Sequence, residues 1–325
     1  MRPMLKRCVC PIWLGWFGVL MLLTGAACVP RNRVPHFSVS EEDWDFAPKS
    51  GRILTTDHFR IYTSIEDLEL RKLLPLFAET AYAQYSELIP TGKHDPGKKL
   101  TTYLLDSRES WERFSRRNFP QKFSTYARIS YGGYTEQDTA VVYYDRQRVY
   151  TLSVLAHEGL HQYLYNLVGP TIPAWLNEGL ACYCEAFDVP GSGSPVFTPT
   201  HNTFRLNYLR EALAGKTMIP LKDILATDAG KVIDQYQAKP YYAQVWSLVV
   251  YLRHGENGRY AKGLEHLLAD LVSGQMSVRA SAARLGTAHP ADVSAGEAVF
   301  RAYITDDLEG FDRGWQVYVK KLVSF

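Results

Sequence analysis

SVLAHEGLHQYL, residues 153–164, sets His157 and His161 four positions apart with Glu158 beside the first. On an α-helix, positions i and i+4 share a face, so both imidazoles point the same way. Gly169-Pro170 ends that helix, and Pro173 opens the next stretch, PAWLNEGLACY (residues 173–183). Proline suits a first helical turn because its missing N–H would be unpaired there anyway. Two helices therefore meet across a short turn. Glu178 follows His161 by 17 positions, enough chain to finish one helix, reverse, and bring a carboxylate back to the imidazoles.

The chemistry wants these residue types. The pattern His157-Glu158-x-x-His161 is the HExxH arrangement of zinc hydrolases. A tetrahedral catalytic zinc takes three protein ligands and leaves its fourth position to water, so His157, His161 and Glu178 make a candidate ligand set for one Zn2+.

HExxH followed by a helix bearing W-L-x-E-G-L-A resembles the gluzincin zinc metallopeptidases. Within them it is similar to the bacterial peptidase-MA-like proteins, including a group known only as a domain of unknown function. The stretches that carry the likeness are AHEGLHQ, PAWLNEGLACY and YYAQVWSLVVYL (241–252), which span about a third of the chain. The resemblance implies a thermolysin-like catalytic fold acting on peptides or proteins, with zinc on His157, His161 and Glu178. It implies that Glu158 is general base and acid and that Tyr242 donates to the oxyanion, with Tyr241 as the fallback; His254, at the end of the Tyr242 helix, is a further candidate, a cap over exposed carbonyls being its other use. It also implies a sheet edge beside the metal helix that receives the substrate backbone. Gly132 and Gly133, between strand-like segments, are candidates for that approach, and a plain turn is the other use of paired glycines.

Two residues depart from the family pattern. Gly159 stands inside the helix, where glycine costs roughly 1 kcal/mol relative to alanine, and predicts close helix packing. Cys182 stands four residues beyond Glu178, where related enzymes often carry a carboxylate that orients a ligating histidine. Which groups orient His157 and His161 is therefore left open. Cys182 and Cys184, two positions apart, project to different faces and read as small buried hydrophobes.

The chain begins with Arg2, Lys6 and Arg7, an apolar run from Cys8 to Leu23, and Gly25-Ala26-Ala27 before Cys28. Basic, apolar and small-residue regions in that order predict a secretory leader over residues 1–27. LLTGAAC resembles a bacterial lipoprotein box, which implies lipidation of Cys28 and attachment to the membrane of a bacterial cell envelope. Cleavage after Ala27 without lipid and an uncleaved anchor are the alternatives. The full chain carries +2, and without residues 1–27 it carries −1, which gives no electrostatic case for a nucleic-acid partner. Five cysteines, of which only Cys28, Cys182 and Cys184 follow the leader, argue against a disulfide framework.

Proline breaks at 30, 35 and 48 predict a tether over 28–50, with order beginning near Gly51. An α+β subdomain is expected over 51–188: a mixed sheet with helices leading into the HExxH helix. Strands are read at 59–63, 101–105 and 139–144, and helices at 70–88 and 107–117. Residues 189–325 read as a mainly helical subdomain closing the cleft, with Val189 to Asn202 as a loop on its rim. No G-x-S-x-G elbow supports a serine hydrolase. Two readings of function follow. One is an exported zinc metallopeptidase working through Glu158. The other is an inactive, zinc-stabilised, surface-tethered binding protein.

Overall fold

The computed structural model describes residues 35–46, 48–89, 97–129, 132–145, 147–190, 193–226, 231 and 238–324. The leader and Cys28 lie outside the described residues. The architecture is α+β: a mixed six-stranded sheet followed by a mostly helical C-terminal half. The strands are β1 (Ser40–Phe46), β2 (Lys49–Thr55), β3 (Phe59–Thr63), β4 (Leu100–Leu105), β5 (Gly133–Glu136) and β6 (Thr139–Tyr143). They pair in the order β1-β2-β3-β4-β6-β5. The β3–β4 and β4–β6 pairs are parallel and the others antiparallel, so β5 forms one edge.

The central strands alternate between two buried faces. In β4, Leu100 and Leu104 join the main core while Leu105 faces a smaller aromatic cluster. The main-core face is covered by α1 (Leu68–Leu88) and α4 (Arg148–Val168), the other by α2 (Arg108–Asn118) and the single turn α3 (Phe123–Tyr126). Order begins earlier than the proline breaks suggest. The expected tether over 28–50 already contains β1, an edge strand whose Glu41 and Asp43 face Arg52 of β2. A charged edge strand protects a sheet against further pairing, and its polarity is what made it read as linker.

Asp67 ties the entry of α1 to that of α4. Its Oδ1 accepts from Leu70 N (3.1 Å) as helix cap, and the Arg148 guanidinium donates to both oxygens at 2.7 and 2.8 Å. The Arg148 contact is the main reason its carboxyl lies at about 2 rather than 3.8. A carboxylate with a depressed folded-state pKa stabilises above its unfolded value and loses that contribution as pH falls through the folded one. Wild-type stability is therefore expected to drop between pH 3.8 and 2 more steeply than that of Asp67→Asn, as read by urea unfolding across that window.

After α4 come α5 (Ala174–Tyr183), a two-stranded ribbon of β7 (Phe187–Asp188) and β8 (Val196–Phe197), α6 (Thr203–Ala214), α7 (Leu221–Ala226) and α8 (Ala238–His254). Then follow α9 (Ala261–Ser273), α10 (Met276–Leu285), α11 (Ala295–Tyr303) and α12 (Leu308–Val323). Helix α8 is the axis of this half, with Ala243 to Leu252 buried throughout. Gly179 lets α5 close on it, since a Cβ there would sit 2.8 Å from Val245 O. Gly159 does the same between α4 and α1, where a Cβ would lie 2.5 Å from the Tyr85 hydroxyl that donates to Ala156 O. The packing expected at Gly159 is thus present. No helix among the described residues is long and apolar enough to cross a membrane.

Candidate metal centre

Helix α4 presents His157 and His161 on one face, and α5 returns Glu178 to it. The two Nε2 atoms are 3.1 Å apart, and each lies 3.4 Å from Glu178 Oε2. Zinc bonds of about 2.0–2.2 Å to nitrogen and oxygen make a tetrahedron with edges of roughly 3.3–3.5 Å, close to this triangle. All three side chains are at most 15% exposed.

The outer nitrogens show why a cation fits. His157 Nδ1 lies 2.8 Å from Glu185 Oε1, and His161 Nδ1 lies 3.1 Å from Asn177 Oδ1. Both partners are acceptors, so each ring in its neutral form carries its proton on Nδ1 and turns a bare Nε2 lone pair toward the other. Glu178 Oε2, buried and without a geometric hydrogen-bond donor among the described residues, points into the same space. Two lone pairs and a carboxylate oxygen repel unless a cation lies between them. With no cation there a proton answers the same repulsion: burial opposes a charge on His157, yet Cys182, Glu178 and Glu185 around it push its pKa well above the ordinary value. Burial likewise opposes the Glu178 charge, and His161 and His157 prevail to hold that carboxyl well below its usual range.

Glu185 is the carboxylate whose place the sequence left open. Helix α5 ends at Tyr183 and the chain bends at Cys184, so the acid three residues beyond Cys182 turns back onto His157. It is held in turn by Asn202 Nδ2 (2.8 Å) and Arg205 Nε (2.8 Å), with the Arg205 Nη2 on its other oxygen. Burial acts against its charge, but Arg205 and His157 bring its pKa down to about 2. The available cue was a single charge in the apolar run Leu180 to Phe187. Nothing in helical periodicity reaches past the helix end to assign it. Removing an outer partner of a metal ligand typically costs about 10–100-fold in affinity. Glu185→Gln is expected to weaken zinc by that factor in a chelator competition, and unchanged affinity would contradict the role.

Cys182 also lies against His157, and with Glu185 it forms a second group of donors within 4.8 Å. Arg205 already supplies a positive charge to that group through Glu185. Burial pushes the Cys182 thiol up to about 11, and both Cys182 and Cys184 are fully buried, in keeping with the apolar reading.

Glu158 faces a cleft of about 600 Å³ lined by β5, α4, the turn at Gly169 to Ile172, and Tyr242. Thr135 Oγ1 of β5 donates to its Oε2 at 2.7 Å. Thr135 had no signal in the sequence, because one hydroxyl on a short strand looks like any other. Tyr242 reaches the cleft with its ring 6.0 Å from that of His157. Burial and then the nearby Glu178 raise its pKa well above the ordinary value, so the phenol keeps its proton and can donate it. The two other candidates are elsewhere: Tyr241 is fully buried outside the cleft lining, and His254 Nε2 meets the Tyr183 hydroxyl at 2.9 Å.

Gly133 lines the cleft, but its missing side chain leaves room for its own sheet. A Cβ there would lie 2.7 Å from Val141 O. Its smallness therefore serves the β5–β6 pairing. Gly132, at φ +105, forms the turn into β5 and does not line the cleft. Nor, among its described residues, does the expected rim from Val189 to Asn202. That segment contains β8, whose Phe197 packs with Phe187 on Phe77 of α1.

No curated protein matches this chain. Residues 151–268 match the model of a family described as a protein of unknown function, DUF1570. The match begins within α4, ends within α9, and takes in His157, Glu158, His161, Glu178, Glu185, Arg205 and Tyr242. The segment carrying all these residues is thus a DUF1570 domain, of a family whose activity is uncharacterised.

Proposed function

We propose that this chain is a zinc-dependent metallopeptidase of gluzincin type, with a thermolysin-like catalytic arrangement. The observation that carries the reading is the triangle of His157, His161 and Glu178 donor atoms with Glu158 beside it on the cleft wall. A structural zinc needs no carboxylate next to its ligands, and a hydrolytic one does.

His157, His161 and Glu178 would hold a zinc ion, which would supply Lewis acidity and lower the pKa of a water it bound toward about 7. Glu158 takes a proton from the attacking water, its carboxylate held in place by Thr135. Tyr242 donates its phenol proton in a hydrogen bond to the substrate carbonyl oxygen as negative charge develops there. Glu158 then returns the proton to the departing amine nitrogen. The substrate backbone is expected along β5, whose outer side pairs with no strand among the described residues.

The experiment is cleavage of a mixed peptide library by zinc-loaded and chelator-stripped protein. Cleavage is expected with zinc, lost on stripping and restored by zinc alone. A protein that binds zinc and leaves every peptide intact would instead be the zinc-stabilised binding protein. Export and lipid attachment at Cys28 rest on residues 1–28, and mass spectrometry of the mature terminus tests them.

A further inference from the structure

We propose that Arg205 is a positioning residue that joins the metal-holding half of the site to its oxyanion-donating half. The inference rests on the metallopeptidase reading for its catalytic part only. Arg205 stands in the first turn of α6, where Asn202 caps the helix by accepting from Arg205 N at 3.1 Å. Its guanidinium grips Glu185, Nε to Oε2 at 2.8 Å and Nη2 to Oε1, and Glu185 in turn bonds His157 Nδ1. The same guanidinium lies over the Tyr242 ring, its carbon 5.1 Å from the centroid. One planar group is thus bonded to the carboxylate that orients a metal ligand and set over the ring of the phenol that reaches the cleft. The side chain is 16% exposed, so water does not readily replace either contact.

Arginine is specific for this double task. The flat fork gives two parallel bonds to a carboxylate and a face for an aromatic ring, and lysine offers only a point charge. The two contacts are separable by substitution. Arg205→Met removes the grip on Glu185 and leaves a buried carboxylate unmatched. Arg205→Lys keeps a charge for Glu185 but gives up the delocalised guanidinium over the Tyr242 ring.

The test measures zinc affinity by competition with a chromophoric chelator, and kcat at saturating zinc, for Arg205→Met and Arg205→Lys, each alone and combined with Tyr242→Phe. Arg205→Met is expected to lose about 10–100-fold in zinc affinity, the usual cost of disturbing an outer partner of a metal ligand. Arg205→Lys is expected to recover most of that affinity while kcat stays about tenfold or more below wild type. In the Tyr242→Phe background, where no phenol remains to be aimed, Arg205→Lys is expected to cost no further kcat. Wild-type zinc affinity in Arg205→Met, or wild-type kcat in Arg205→Lys, would overturn the proposal. If Arg205→Met does not fold, the affinity and kcat of Arg205→Lys carry the decision. If the wild-type chain holds zinc and cleaves no peptide, the peptidase reading fails and zinc affinity alone decides the Arg205–Glu185 link.

Discussion

Glu158→Gln is expected to keep one zinc per chain and to lower kcat by about 10²–10⁴-fold, the usual contribution of a positioned general base. The substitution changes almost nothing else. Glutamine has the shape of glutamate, and its carbonyl oxygen can still accept the hydrogen bond from Thr135. Glu158 contributes no atom to the triangle of His157, His161 and Glu178, so metal content should not follow the loss of turnover. Zinc analysis and peptide cleavage on the same preparation check both halves. Wild-type turnover in Glu158→Gln would remove the proposed mechanism, whatever the metal content.

His161→Ala should behave differently, losing zinc and turnover together. The substitution takes away one of three donors, leaves Glu178 facing a single imidazole, and strands Asn177 Oδ1 without its ring N–H. The fall in zinc affinity is expected to exceed the roughly 10–100-fold that loss of an outer partner costs. Folding should survive, because His161 is not part of the apolar core and α4 is anchored elsewhere. Gln162 next to it donates to Thr101 O and Asp138 O at 2.6 and 2.8 Å, pinning the helix to the sheet. Zinc retained at wild-type affinity in a folded His161→Ala would show that the ion binds somewhere else.

The parts of the fold legible in sequence were those governed by local periodicity. Alternation at Phe59, Ile61 and Thr63 gave β3, and the apolar repeat from Leu70 to Leu88 gave α1. The stripe of Leu264, Leu267, Leu268 and Leu271 is a buried face of α9. The donors could be read because their spacing is a helical one and Glu178 stands in the very next helix. What escaped was set by tertiary contact. Glu185 acts just past a helix end, Arg205 comes from a helix 20 positions further along, and Thr135 projects from an edge strand. No one-dimensional pattern brings these to His157 and Glu158. Strand β1 was missed for the opposite reason, since an exposed edge rich in Glu and Asp has the composition of a linker.

The measurement that reaches the central claim most directly is crystallography of the zinc-loaded chain with anomalous differences collected at the zinc absorption edge. A single peak is expected about 2.0–2.2 Å from His157 Nε2, His161 Nε2 and Glu178 Oε2, with one position open toward the cleft. A map without such a peak, or one placing it on the Cys182 and Glu185 side of His157, would contradict the account.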